Sequence, residues 1–256
     1  MKKLIILYIL ICSIAFGFRM QPAYYDQRID EDGGYAEISY ENIGDDPLRY
    51  KFVLYPAEKN DMSKWVELYP KVLTIPPKST GKLKIFAKAP KGTKKGEYNF
   101  SLYAKPIVIP TIKKGEKENK VSINATTVIS MNIGLSGYVG DPKLSENIKF
   151  ENFNFYNNGK GISLNGEVKN NSFRGVSIGL RILNKNKVIK SEVELGRAPS
   201  NNTLKVKNFD LYDIKKMDEI ETIVLYDMIS RTDILSINVK KWELSHFYIK
   251  QKLRRI

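Results

Sequence analysis

The sequence predicts an all-β protein built as two β-sandwich domains behind an export signal. Three observations carry that: apolar residues recur with a period of two almost everywhere, turn-forming residues interrupt them at short intervals, and no sustained period of 3.6 occurs before the C-terminus. The 256 residues are 42% hydrophobic and 27% charged, enough apolar material for packed cores and too much for a disordered chain. That length fits one large domain or two of about 120 residues.

The chain opens with Lys2 and Lys3, then runs uncharged from Leu4 to Ile11 and reaches Ala15-Phe16-Gly17. A charged start, a short apolar run and a small-x-small site read as a secretory signal peptide over residues 1–17, cleaved after Gly17. The apolar stretch ends before Arg19 and is short of the ~20 residues that a membrane span needs. The mature chain is therefore expected to be exported and without an integral membrane span. Cleavage also removes Cys12, the one cysteine, so no disulfide supports the fold, and the formal charge falls from +14 to +12.

In the first half, strands are expected at Tyr35–Tyr40, Tyr50–Tyr55, Lys82–Phe86 and Tyr98–Tyr103, rich in aromatic and β-branched residues. Breakers separate them at Asp32-Gly33-Gly34, Gly44-Asp45-Asp46-Pro47, Pro76-Pro77-Lys78 and Lys91-Gly92. The second half repeats the style. Ile162–Val168 alternates, and Val176–Leu183 meets Val188–Leu195 across Asn184-Lys-Asn-Lys187, a hairpin signal. Thr203–Val206, Ile220–Tyr226 and Ile234–Val239 follow, for six or seven strands. Gly137-Tyr-Val-Gly-Asp-Pro142 interrupts the pattern, so the domains are expected at 18–137 and 138–256.

Composition leans away from an enzyme. One His and one Cys exclude a His/Cys metal site within one chain, and no other metal or cofactor motif is present. Ser-His and Cys-His catalytic pairs would need the lone His246, which lies in a basic tail near Glu243 only. The paired Asp45 and Asp46 sit in a turn. The lysines are scattered at solvent positions without the aromatic interleaving of single-strand binders, so no nucleic-acid partner is expected. The tail 240–256 carries +5 in seventeen residues; it reads as a last strand with a cationic end, or as a basic amphipathic segment.

One segment stands apart. From Val121 to Ser136, seven of eight odd positions are apolar (Thr127 is the exception) and one of eight even positions is, Val128. Sixteen residues in one register would span about 50 Å at ~3.3 Å each, more than one sandwich needs. Two consecutive strands of the same parity, or one strand running between domains, would account for it. So would a strand that shows part of its apolar face outside its own core, which invites pairing with another chain.

Ile38-Ser-Tyr-Glu-Asn42 followed by Gly44-Asp-Asp-Pro47, then Leu68-Tyr-Pro70 to Ile85, Glu97-Tyr98 to Pro106, and the charged stretch Lys113–Glu118 come in a definite order. In that order, residues 18–137 resemble the periplasmic pilus-assembly chaperones of the chaperone–usher pathway, the PapD-like proteins. The resemblance implies two immunoglobulin-like β-sandwich domains, pilin-like subunits and an outer-membrane usher as partners, and a homodimer that caps itself as a further state. It also implies that the chaperone lends an edge strand to a subunit that lacks one, backbone bonds giving affinity and alternate side chains filling pockets. By position the lent side chains are Val121, Ile123, Ala125 and Thr127, the last two demanding shallow pockets, while Ile129, Met131 and Ile133 belong to the domain core. The family holds the subunit's terminal carboxylate with an N-terminal arginine and a lysine on the long strand. Arg28 is the candidate for the first, with Arg19 behind it; the second falls on Ser130, and no Lys or Arg occurs between 121 and 142. The other reading of the same residues is an exported two-domain structural or surface-binding protein that lends no strand.

Overall fold

The structure is a computed structural model that describes residues 18–108 and 130–239. Its contacts divide the chain into two units between Gly140 and Asp141. The expected boundary at 137/138 thus falls inside a strand that runs to Val139 in the first unit.

In the first unit, one sheet has the order β1 (Phe18–Gln21), β3 (Gly34–Asn42), β7 (Ser79–Ala87) and β5 (Val66–Tyr69). The other has β2 (Asp26–Arg28), β9 (Met131–Val139), β8 (Gly96–Pro106), β4 (Leu48–Pro56) and β6 (Val72–Ile75). Period-two alternation sends Ile38, Tyr40, Leu83 and Ile85 inward from one sheet and Tyr50, Phe52, Phe100 and Leu102 from the other, all buried in one core. The start of the chain serves both sheets, β1 pairing antiparallel with β3 and β2 parallel with β9. With β2 and β6 set aside and the other seven strands lettered in sequence, this is the A-B-E-D against G-F-C arrangement of immunoglobulin domains.

The second unit sets β10 (Ile148–Asn157), β11 (Ile162–Asn170) and β14 (Asn202–Leu211) against a four-stranded sheet. That sheet has the order β13 (Ile189–Ala198), β12 (Val176–Leu183), β15 (Thr222–Asp227) and β16 (Asp233–Asn238). Leu164, Val168, Ile178, Leu180, Ile223 and Leu225 lie in its core. The expected hairpin between 176 and 195 is present as β12–β13, antiparallel with Leu183 opposite Ile189. A one-turn helix, α1 (Leu144–Asn147), leads into β10. Among the described residues no helix is long and apolar enough to cross a membrane. Residues 1–17, read as the signal, and the tail 240–256 lie outside the described residues.

Candidate functional site

The functional expectation rests on the long alternating segment, of which the described part is Ser130 and β9. The parity read from the sequence holds there. Met131 and Ile133 pack half-buried against the first core and Leu135 is buried, while Asn132 and Gly134 are exposed. Val121, Ile123, Ala125 and Thr127, with Ile129, lie outside the described residues.

One side of β9 is fully paired: it meets β8 antiparallel from Met131↔Ala104 to Val139↔Gly96. The other side is not. There β2 covers only Ser136, Gly137 and Tyr138, with the Ser136 amide donating to the Tyr25 carbonyl at 3.1 Å and the Ile29 amide to the Tyr138 carbonyl at 2.9 Å. From Met131 to Leu135 no described strand lies on that side.

The closed half is held tightly. Tyr25 is buried beneath it, donating its hydroxyl to the Gly34 carbonyl at 2.8 Å, and burial pushes that phenol well above its usual range. Gly137 sits where a Cβ would come within 2.8 Å of Ile29 Cγ2, so β2 can approach only a residue without a side chain. In the sequence this glycine reads as an interruption; in the fold it is a close approach within a continuous strand.

Arg28 ends β2 opposite Tyr138. Its Nε donates to Asp30 Oδ1 at 2.6 Å, and its terminal nitrogen donates to Asp30 Oδ2 at 3.0 Å and Glu31 Oε1 at 2.7 Å. The guanidinium fork holds the Asp30 carboxyl below its usual range, and Asp30 also accepts the Gly140 amide at 3.1 Å. A partner's carboxylate would have to displace these two. Ser130 is exposed at the other end of β9, eight residues from Tyr138, about 26 Å along an extended strand. Arg28 and the Ser130 position therefore do not face a common point.

Arg19, the second candidate, lies at the same end as Ser130: it sits opposite Glu41 beside Asn42, where β4 begins and β8 ends. It is 64% exposed and 3.4 Å from Glu41, on the sheet that does not contain β9. The paired register ends at Ala104↔Met131, and the residue of β8 just beyond it is Lys105, which faces Lys51. The register thus brings cations from β4 and β8, unanticipated in the sequence reading, to the level where the long strand itself has none. Among the described residues no cluster of three His, Cys, Asp or Glu is placed to hold a metal.

No family model matches the chain and no curated protein matches it in sequence. Among solved structures it is similar to the CupB2 chaperone of Pseudomonas aeruginosa, at 9% identity and a TM-score of 0.41, over 86% of this chain and 97% of that one. It is similar to the E. coli chaperone DraB at 12% identity and a TM-score of 0.43, over 87% and 98%. The SafB chaperone of Salmonella enterica, solved in complex with the SafA pilin, is similar at 11% identity and a TM-score of 0.42, over 87% and 95%.

Proposed function

We propose that this chain is an exported, periplasmic assembly chaperone that caps pilin-like subunits by lending them an edge strand and hands them to an outer-membrane usher. The observation that carries the reading is that, among the described residues, no strand covers the outer side of β9 over Met131–Leu135. That stretch leads toward the N-terminal side, where the sequence continues the same apolar parity through Val121, Ile123 and Ala125. A strand paired along one side by β8, and met on the other by β2 over only three described residues, suits pairing with a second chain while its own domain stays folded. Backbone bonds carry the capture in this reading. Arg28 serves the fold by fixing Asp30 against β2, and a carboxylate anchor at Arg28 would work only by exchange with Asp30 and Glu31.

The test divides the strand. Ile133→Asp puts a charge among half-buried core neighbours and should cost the first unit about 2–4 kcal/mol. Ile123→Asp should leave thermal melting of the free protein unchanged and abolish co-purification of subunits from a periplasmic extract. A stable Ile123→Asp protein that still holds its subunit would move the binding site off this strand. Equal melting losses from both variants would make the segment all core and favour a structural protein that lends nothing.

A further inference from the structure

The outward face of the five-stranded sheet carries a second feature, independent of strand lending. At the end where β4 begins and β8 ends, Lys51 and Lys105 stand directly opposite each other on adjacent strands, both exposed. Arg49, two residues before Lys51 and on the same face, donates its Nε to Thr74 Oγ1 at 2.8 Å. None of these three cations has an ion-pair partner among the described residues. β4, β6 and β9 contain no Asp or Glu at all, and the one carboxylate of β8, Glu97, lies at the far end opposite Tyr138. Like charges directly opposed across a sheet destabilise it, so the arrangement works against the free fold. It is the kind of local conflict that marks a surface waiting for its complement.

Among the described residues no carboxylate pairs with these cations. By sequence the connection 109–129 carries four lysines against two glutamates, and a second copy, at +12 without residues 1–17, repels the first. Glu67 borders a cleft with Lys51 and Lys71 but belongs to the other sheet and forms no ion pair among the described residues. Next to the cations on the same face lie Val53, Tyr103 and Tyr55, the last 48% exposed. The two rings meet edge to face at 5.8 Å and 65°, which offers no parallel platforms for successive bases. Three cations also fall short of the four to eight that ordinarily mark an anionic-lipid surface.

We infer that this face docks an acidic protein segment with apolar residues between its carboxylates, the charges meeting Arg49, Lys51 and Lys105 and the apolar residues meeting Val53, Tyr55 and Tyr103. The probe is a fluorescent hexapeptide of alternating glutamate and valine, titrated onto the full chain by anisotropy at low and at physiological salt. Binding should weaken as salt rises. It should fall roughly tenfold or more in the double variant Lys51→Glu with Lys105→Glu, whose melting temperature stays level or rises as the repulsion is relieved. A charge-matched control, Lys88→Glu with Lys149→Glu, should bind as the parent does, and the same peptide with lysine for glutamate should not bind. Equal affinity in the Lys51/Lys105 variant overturns the inference. So does tighter binding to phosphatidylglycerol vesicles or a single-stranded oligonucleotide than to the peptide.

Discussion

The two units close the same turn with the same amide, and then differ in what they add. Asn42 ends β3 and Asn170 ends β11, the second main strand of each unit, and both are buried. In each, Oδ1 accepts the amide two residues on, Gly44 at 3.0 Å and Ser172 at 2.9 Å. In each, Nδ2 donates to the carbonyl four residues on, Asp46 at 2.9 Å and Arg174 at 2.8 Å. Nδ2 then reaches across the sandwich, to Ile75 and Pro76 in one unit and to Ala198 in the other. The second unit extends this knot inward: Arg174 pairs with Asp227 at 3.0 Å, their side chains 5% and 0% exposed. The first turns outward, where Asp45 meets Lys78 at 3.0 Å in solvent. A shared amide staple therefore sets the turn, and only the second unit ties it to a further strand. The unit whose turn pairs in solvent is the one in which no described strand covers β9 over Met131–Leu135, and the two features lie at the same end of the sandwich.

The sharpest break in this comparison comes from Arg174→Met. It strands Asp227 in the core and should cost the second unit about 3–5 kcal/mol, seen as a drop in one melting transition while the first unit's stays in place. Next are the two staples. Asn42→Ala and Asn170→Ala each remove an amide that bonds the turn to the facing sheet and should cost about 2–3 kcal/mol, each confined to its own unit in urea unfolding. A large effect from one and none from the other would show that the common geometry does not carry a common energy.

Smaller effects sharpen the contrast further. In β12, a Cβ on Gly179 would lie 2.2 Å from the Tyr226 ring, which Arg181 covers at 3.9 Å from the centroid. Gly179→Ala should cost about 1–3 kcal/mol. In β9, Gly134 faces open space, and Gly134→Ala should change stability by less than about 0.5 kcal/mol. The smallest effect is a pH dependence. The hydrogen bond from Arg28 holds the Asp30 carboxyl below its unfolded value, so its contribution is present at neutral pH and is lost as pH falls through the folded value, below about pH 4. Asp30→Asn should flatten that part of the acid profile by less than about 1 kcal/mol, since the pair is partly exposed.

Alternation made most strands legible, because each buries one face and period two survives wherever the ladder is regular. It failed at β10, where Ile148 and Phe150 point inward and then Phe153 does, the parity flipping across the register shift between Glu151 and Asn154. β1 and β2 were unreadable for another reason: at four and three residues they are too short to show a period. Asn42 stood out as part of a motif. Asn170 did not, and the Arg174–Asp227 pair, 53 residues apart, leaves no local trace. Of the site, the inward parity of Met131, Ile133 and Leu135 was readable, whereas the half-closed edge depends on where β2 stops, which no side-chain pattern encodes. The placement of Arg28 failed to follow from the sequence because Asp30 and Glu31, its neighbours, take up its charge.

The three-residue clasp of β2 on β9 gives the first unit a mechanical direction. A pull entering β9 from its N-terminal end meets the β8 bonds one rung at a time, from Met131↔Ala104 onward, and opens them like a zipper at low force. At Ser136 the load reaches β2, and from there two ladders, to β8 and to β2, must break together. Tension on the outboard segment would therefore peel five residues and then stop, which makes the clasp a fuse that spares the rest of the domain.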